Sequence, residues 1–215
     1  MPALSTGSAE AAGSAGSARP VKAARAALRF RTAAVTTLAT LALPFAAPGA
    51  ATAAPSGSGA DVPAYGTWQA DVRKAVDPVI PWLRDRVKGQ GGKPAVVLDI
   101  DNTALETYYH PGRANEPVLR VAEWAHEHKV AVLFVTARTS SSSARKELRA
   151  AGYPVDAVCT REHGESKAEG KERCREQLTE DGYRITANIG NRSTDFEGGF
   201  YEKGFKLPDY GGKLS

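Results

Sequence analysis

The sequence predicts an α/β protein of three layers, an open parallel sheet with helices on both faces. Three observations predict it. Short continuous apolar runs alternate with helix-length segments, turn residues bound the runs, and polar residues collect directly after them. Strands separated by helices pair in parallel through right-handed crossovers, and ligands gather at the carboxyl ends of such strands.

The elements follow in order. Thr67–Val87 carries Trp68, Val72, Ala75, Val76, Val79, Trp82 and Leu83 at helical spacing, and Pro78 and Pro81 are expected to break it into two pieces. Residues 89–92 form a Gly-rich turn before Ala95–Leu98, an apolar run suited to a strand buried on both faces. Val118–His128 reads as a helix and Val130–Val135 as the second strand. Ser142–Ala151 reads as a helix stopped by Gly152, and Val155–Val158 as a short third strand. Ala168–Thr179 is helical, closed by Asp181-Gly182, and Arg184–Ile189 is the fourth strand. Tyr201–Phe205 is a candidate fifth, and the Pro/Gly-rich tail from Lys206 reads as a packed loop.

Ahead of this domain, residues 1–54 read as a signal peptide: basic residues from Arg19 to Arg31, an apolar core Ala33–Ala47, and small residues up to Ala54. The core is too short and too rich in Ala and Thr for a membrane span. Such a signal does not need the long polar stretch before Val21, which suggests a translation start near that residue. Residues 55–66 read as a flexible Ser/Gly/Pro linker and 67–215 as the domain. The leader holds five of the 28 Lys and Arg residues and one of the 24 Asp and Glu residues, so the rest carries 23 of each and is near neutral. That argues against nucleic acid or an anionic membrane as partner once the leader is removed. Two cysteines, Cys159 and Cys174, suit an exported protein with one disulfide. The localisation expected is therefore secreted.

The polar residues after the runs are the candidates for chemistry. Asp99, Asp101, Asn102 and Thr103 follow the first strand, Thr136, Ala137 and Arg138 the second, and Gly190, Asn191 and Asp195 the fourth. Lys171 and Arg175 lie on the helix before that fourth strand. Crowded carboxylates call for a cation, and an oxygen-rich ligand set favours magnesium over zinc.

Asp99-Ile100-Asp101-Asn102-Thr103 after an apolar strand resembles the first motif of the haloacid dehalogenase (HAD) superfamily phosphatases. Val135-Thr136-Ala137-Arg138 looks like their second motif. Lys171-x-x-x-Arg175 followed by Gly182-Tyr183-Arg184-Ile185 is similar to the third motif of the secreted acid phosphatase branch (class B, subfamily IIIB), which includes vegetative storage proteins. Gly190-Asn191-x-x-x-Asp195 resembles the fourth motif, usually Gly-Asp-x-x-x-Asp. Four motifs in order span roughly residues 93–208.

The resemblance implies a Rossmann-like, HAD-type sheet and an acid phosphatase acting on small phosphomonoesters with Mg2+. It implies Asp99 as nucleophile, Asp101 as general acid and base, Thr136 as a phosphoryl hydrogen-bond donor and Lys171 as the charge-balancing lysine. Asn102 and Arg138 would bind substrate, Arg138 with the alternative of a structural ion pair. Asp99, Asp101, Asn191 and Asp195 would hold the metal. Lys167, one turn before Lys171, is a rival for that role, and the spacing of Lys171 to Arg175 and to Gly182-Tyr183 is the better match to the resembled branch. Asn191 departs from the usual aspartate, so weaker magnesium binding is expected, and Asn191→Asp is expected to tighten it.

About thirty residues between the first two motifs leave space for a small cap or none. An open site follows, unless the N-terminal helices or a second subunit of a homo-oligomer cover it. Tyr108 and Tyr109 read as rim or core packing, and His126-x-His128 as a solvated helix end. The alternatives for function are a weakly active binding or storage protein on the same scaffold, or a phosphotransferase.

Overall fold

The computed structural model describes residues 62–88 and 91–214, all within one compact unit, residues 53–215. The expected leader, the start near Val21 and most of the expected linker lie outside the described residues.

Helix α1 (Tyr65–Val76) and helix α2 (Val79–Arg86) precede strand β1 (Lys93–Leu98). Pro78 caps α2 and breaks the helical run as expected, but Pro81 does not break it. It sits in the first turn of α2, where its missing N–H has no intrahelical partner to lose. Helix α1 also starts inside the expected linker. Tyr65 is its first residue, and Val62 before it packs on the core.

Helix α3 (Glu116–Glu127), strand β2 (Ala131–Thr136), helix α4 (Ser141–Ala150) and strand β3 (Ala157–Thr160) follow. Ser140 caps α4, its Oγ accepting from the Ser143 N–H at 3.4 Å, so the serine run is a helix start. Gly152 ends that turn in a left-handed conformation (φ 94°) that a side chain would strain. Helix α5 (Lys167–Glu180), strand β4 (Tyr183–Gly190) and the short strand β5 (Gly204–Lys206) complete the sheet.

All five strands are parallel, in the order β3-β2-β1-β4-β5. The order turns back after β3, so the carboxyl ends of β1 and β4 flank the switch point where such sheets hold ligands. Strand alternation sorts the core. Val96, Leu98, Val132 and Phe134 pack with α1–α4 on one face, and Ala95, Val97, Leu133 and Val135 pack with Cys174 and Leu178 of α5 on the other.

One irregularity shapes β4. The register with β1 shifts between Ala95 and Val96, whose partners are Ile185 and Ala187. The extra residue, Thr186, donates from Oγ1 to the Ala95 carbonyl at 3.0 Å, and its own carbonyl accepts from Trp82 Nε1 at 2.8 Å. This bulge switches the side-chain alternation: Ile185 packs on the α5 side, whereas Ala187 and Ile189 pack on the other. No described helix is long and apolar enough to cross a membrane.

Candidate active site

Asp99 continues the alternation of Ala95 and Val97, so its side chain leaves β1 on the α5 side, where Lys171 stands. Its N–H closes the ladder on the Ile189 carbonyl at 2.9 Å. Lys171 Nζ donates to Asp99 Oδ1 at 2.7 Å and also pairs with Asp195 Oδ1, all three groups being buried. No described residue donates to Asp99 Oδ2. Burial and the Asp195 charge push the Asp99 carboxyl up to about 7, against the pull of Lys171. For Lys171, burial works to lower the pKa, but the two carboxylates outweigh it and raise it. Two carboxyls around one ammonium leave this buried group short of one positive charge.

Lys167, the rival lysine, is the first residue of α5 and exposed at the cavity wall, while Lys171, one turn further in, makes the contact with Asp99. Two covalent or polar anchors hold α5 in place. A capping box between Ser166 and Glu169 starts it. The Cys159–Cys174 disulfide, as expected from the cysteine count, ties it to β3 one turn beyond Lys171.

The loop after β1 supplies Asp101. Arg138 grips it with a fork, Nε to Oδ2 at 2.9 Å and Nη2 to Oδ1 at 2.7 Å, and Thr107 Oγ1 adds a bond of 2.9 Å. Burial acts to raise the Asp101 pKa, but the Arg138 hydrogen bonds and charge outweigh it and hold the carboxyl below its ordinary value. Arg138 also donates to Glu147 on α4 at 2.5 Å. Of the two readings open for Arg138, the geometry of this state is the ion pair.

Three other expected residues have the following surroundings. Asn102 is buried in a left-handed conformation (φ 54°), and its Oδ1 accepts from the Tyr108 N–H at 2.7 Å, so it shapes the loop. Thr136 shares the side of Phe134, and its Oγ1 accepts from the Arg138 N–H at 3.2 Å, while its neighbour Ala137 lines the cavity. Asp195 has both oxygens engaged, Oδ1 by Lys171 and Oδ2 by the Arg192 N–H at 2.7 Å. A side chain at Gly190 would overlap the Asp195 carboxyl, which explains the glycine there.

Sequence reasoning missed Glu106, Gln69 and Asn115. Glu106 is buried and accepts from Tyr65 Oη at 2.7 Å and Gln69 Nε2 at 2.9 Å, with His110 Nδ1 at 2.6 Å. Asn115 donates to the Thr103 carbonyl at 2.8 Å. Together they pin the Asp101 loop to α1. A lone acid in a loop gives no periodic signal, so nothing in the pattern singled it out. Tyr109 packs on Trp68, their ring centroids 4.8 Å apart, while Tyr108 is exposed.

Asp99, Asp101, Lys171 and Asn191 meet in one cavity of about 220 Å³, with Thr107, Lys167, Arg192, Thr194 and Leu214 as further walls. Among the described residues, no three His, Cys, Asp or Glu side chains cluster as a metal cage. The local chemistry nonetheless fits a hard cation. Asn191 is buried, and its Oδ1 is an acceptor without a partner. It shares the cavity with Asp99 and the charge-deficient lysine group. Oxygen donors with excess negative charge suit magnesium.

No cap domain interrupts the chain between β1 and β2, where only the pinned loop and α3 intervene. No curated protein matches the chain. The family model of the HAD superfamily, subfamily IIIB (acid phosphatase), matches residues 110–213. The Asp99–Thr103 segment lies just ahead of that span and is brought to it by the central position of β1, between β2 and β4. Over residues 110–213 the chain is thus similar to the HAD superfamily, subfamily IIIB (acid phosphatase), and its five-stranded parallel sheet is the Rossmann-like fold that the similarity implies.

Proposed function

We propose that the protein is a secreted, magnesium-dependent acid phosphatase that hydrolyses small phosphomonoesters through a phosphoryl group carried on Asp99. The observation that carries the reading is Asp99 itself, buried at the end of the central strand with Oδ1 on Lys171 and Oδ2 without a donor among the described residues. Asp99 Oδ2 attacks phosphorus, the ester P–O bond breaks, and the leaving alkoxide takes a proton from Asp101. Water then attacks the same phosphorus and gives a proton to Asp101, and the Asp99–phosphorus bond breaks to release phosphate.

In the resting site Arg138 keeps Asp101 ionised. An arriving phosphate dianion raises the proton affinity of that carboxylate, which loads it for its acid role and favours acidic solution. Lys171 holds the attacking carboxylate in place and offsets charge that builds up on the phosphoryl oxygens. Asp195 orients Lys171. Asp99, Asp101 and Asn191 would hold the magnesium ion, which supplies electrostatic shielding between the carboxylates and the phosphoryl group. The open cavity suits a range of small alcohol leaving groups.

The test is hydrolysis of an aryl phosphate between about pH 5 and 7, with magnesium and then with chelator, alongside Asp99→Asn. Activity that needs both magnesium and Asp99 supports the reading. Activity indifferent to Asp99→Asn sinks it, and a folded wild type inactive on all phosphomonoesters favours the binding-protein alternative. Secretion is tested by sequencing the N-terminus of protein recovered from the medium.

A further inference from the structure

The segment after β5 returns across the carboxyl end of the sheet and brings Leu214, the last described residue, to the cavity wall. The Leu207 N–H donates to the Gly190 carbonyl at 2.8 Å, and Tyr210 Oη donates to Asp71 Oδ2 on α1 at 2.7 Å. Arg192 Nη1 donates to the Gly212 carbonyl at 2.6 Å. Leu214 is fully buried in the larger core and lines the cavity beside Asp99 and Asn191. Its carbonyl accepts from Asn191 Nδ2 at 2.9 Å.

That last bond fixes an orientation. A carbonyl oxygen can only accept, so the Asn191 amide must turn its nitrogen toward Leu214 and its oxygen the opposite way. Oδ1 is the buried acceptor without a partner. An aspartate at 191 would bring a carboxylate oxygen against the Leu214 carbonyl with no proton between them, in a buried setting where such opposition is costly.

We propose that the C-terminal segment is a positioning element of the site: the Leu214 carbonyl fixes the Asn191 amide so that Oδ1 is presented to a divalent cation. While the segment is seated, the position requires asparagine and penalises the aspartate usual in the family. The proposal rests on the metal reading above. It reverses the expectation drawn from the sequence, that Asn191→Asp tightens magnesium binding.

The experiment is a four-protein cycle of the full chain: wild type, Asn191→Asp, Leu214→Ser to unseat the segment, and the double variant. Magnesium affinity is read by calorimetric titration and stability by thermal melting without metal. With the segment seated, Asn191→Asp is expected to bind magnesium no tighter than wild type and to melt about 3 °C lower. With the segment unseated, the same change is expected to tighten magnesium about tenfold and to leave the melting point unchanged.

An equal effect of Asn191→Asp on affinity in both backgrounds, whether tightening or none, overturns the proposal. If no variant binds magnesium, the metal reading of the function has failed, and melting alone decides the contact. A drop confined to the seated background supports the Leu214–Asn191 coupling, and an equal drop in both overturns it. Should Leu214→Ser not fold, Arg192→Ala, which releases the Gly212 carbonyl, takes its place in the cycle.

Discussion

Arg138 and Asp101 form a two-pronged pair across the mouth of the site, with bonds of 2.9 and 2.7 Å, from the end of β2 to the loop after β1. A lysine could keep the charge but not the fork. Arg138→Lys is expected to lower kcat about tenfold, with the fold intact by circular dichroism. Unchanged kcat would show that the fork does not position Asp101 for catalysis.

Arg175 is buried beneath the fourth motif and, among the described residues, donates only to backbone carbonyls: Gly199 at 2.7 Å, Asp195 at 3.0 Å, and Glu197. It therefore holds the loop that aims Asp195 at Lys171. Arg175→Lys loses most of this array and is expected to cost about 3 kcal/mol in chemical denaturation. A loss near zero would mean the loop holds itself.

The Cys159–Cys174 bridge closes 15 residues of chain between β3 and α5. Opening it by Cys159→Ser with Cys174→Ser is expected to cost about 3 kcal/mol in the chain-entropy model. Because Lys171 lies one turn before Cys174, activity should fall together with stability. A stable, fully active double variant would show that core packing alone fixes α5.

Much of this was legible in the sequence, for physical reasons. Continuous apolar runs marked β1, β2 and β4 because strands buried on both faces need them. The motif resemblance favoured Lys171 over Lys167 without deciding between them, and the fold decides it, because Lys171 lies a turn deeper in α5 and reaches Asp99. Side-chain direction was harder to read. Thr136 follows an apolar run just as Asp99 does, yet one step of alternation turns it to the other face. The bulge at Thr186 left no mark in composition. The partners of Arg138 and Asn102 depend on contacts across the fold, and Glu106 needed the tertiary packing of α1 to become visible.

Tyr210 gives a pH dependence of known sign. Burial, and then its bond to Asp71, raise the phenol pKa above 10.0 in the folded protein. A raised folded pKa means the stabilisation is full below the unfolded value and is lost as pH climbs through the folded one. Melting compared with Tyr210→Phe should show wild type ahead at neutral pH, with the gap closing in alkaline solution. A gap independent of pH would mean the Asp71 contact contributes nothing through the phenol proton.

The central claim is that Asp99 carries the phosphoryl group. The direct measurement is acid quenching of the wild type during turnover of an aryl phosphate, followed by mass mapping of the modified peptide. The account predicts one phosphoryl group on Asp99 and none in Asp99→Asn. Turnover with the phosphoryl group on another residue, or undiminished turnover by Asp99→Asn, would contradict it.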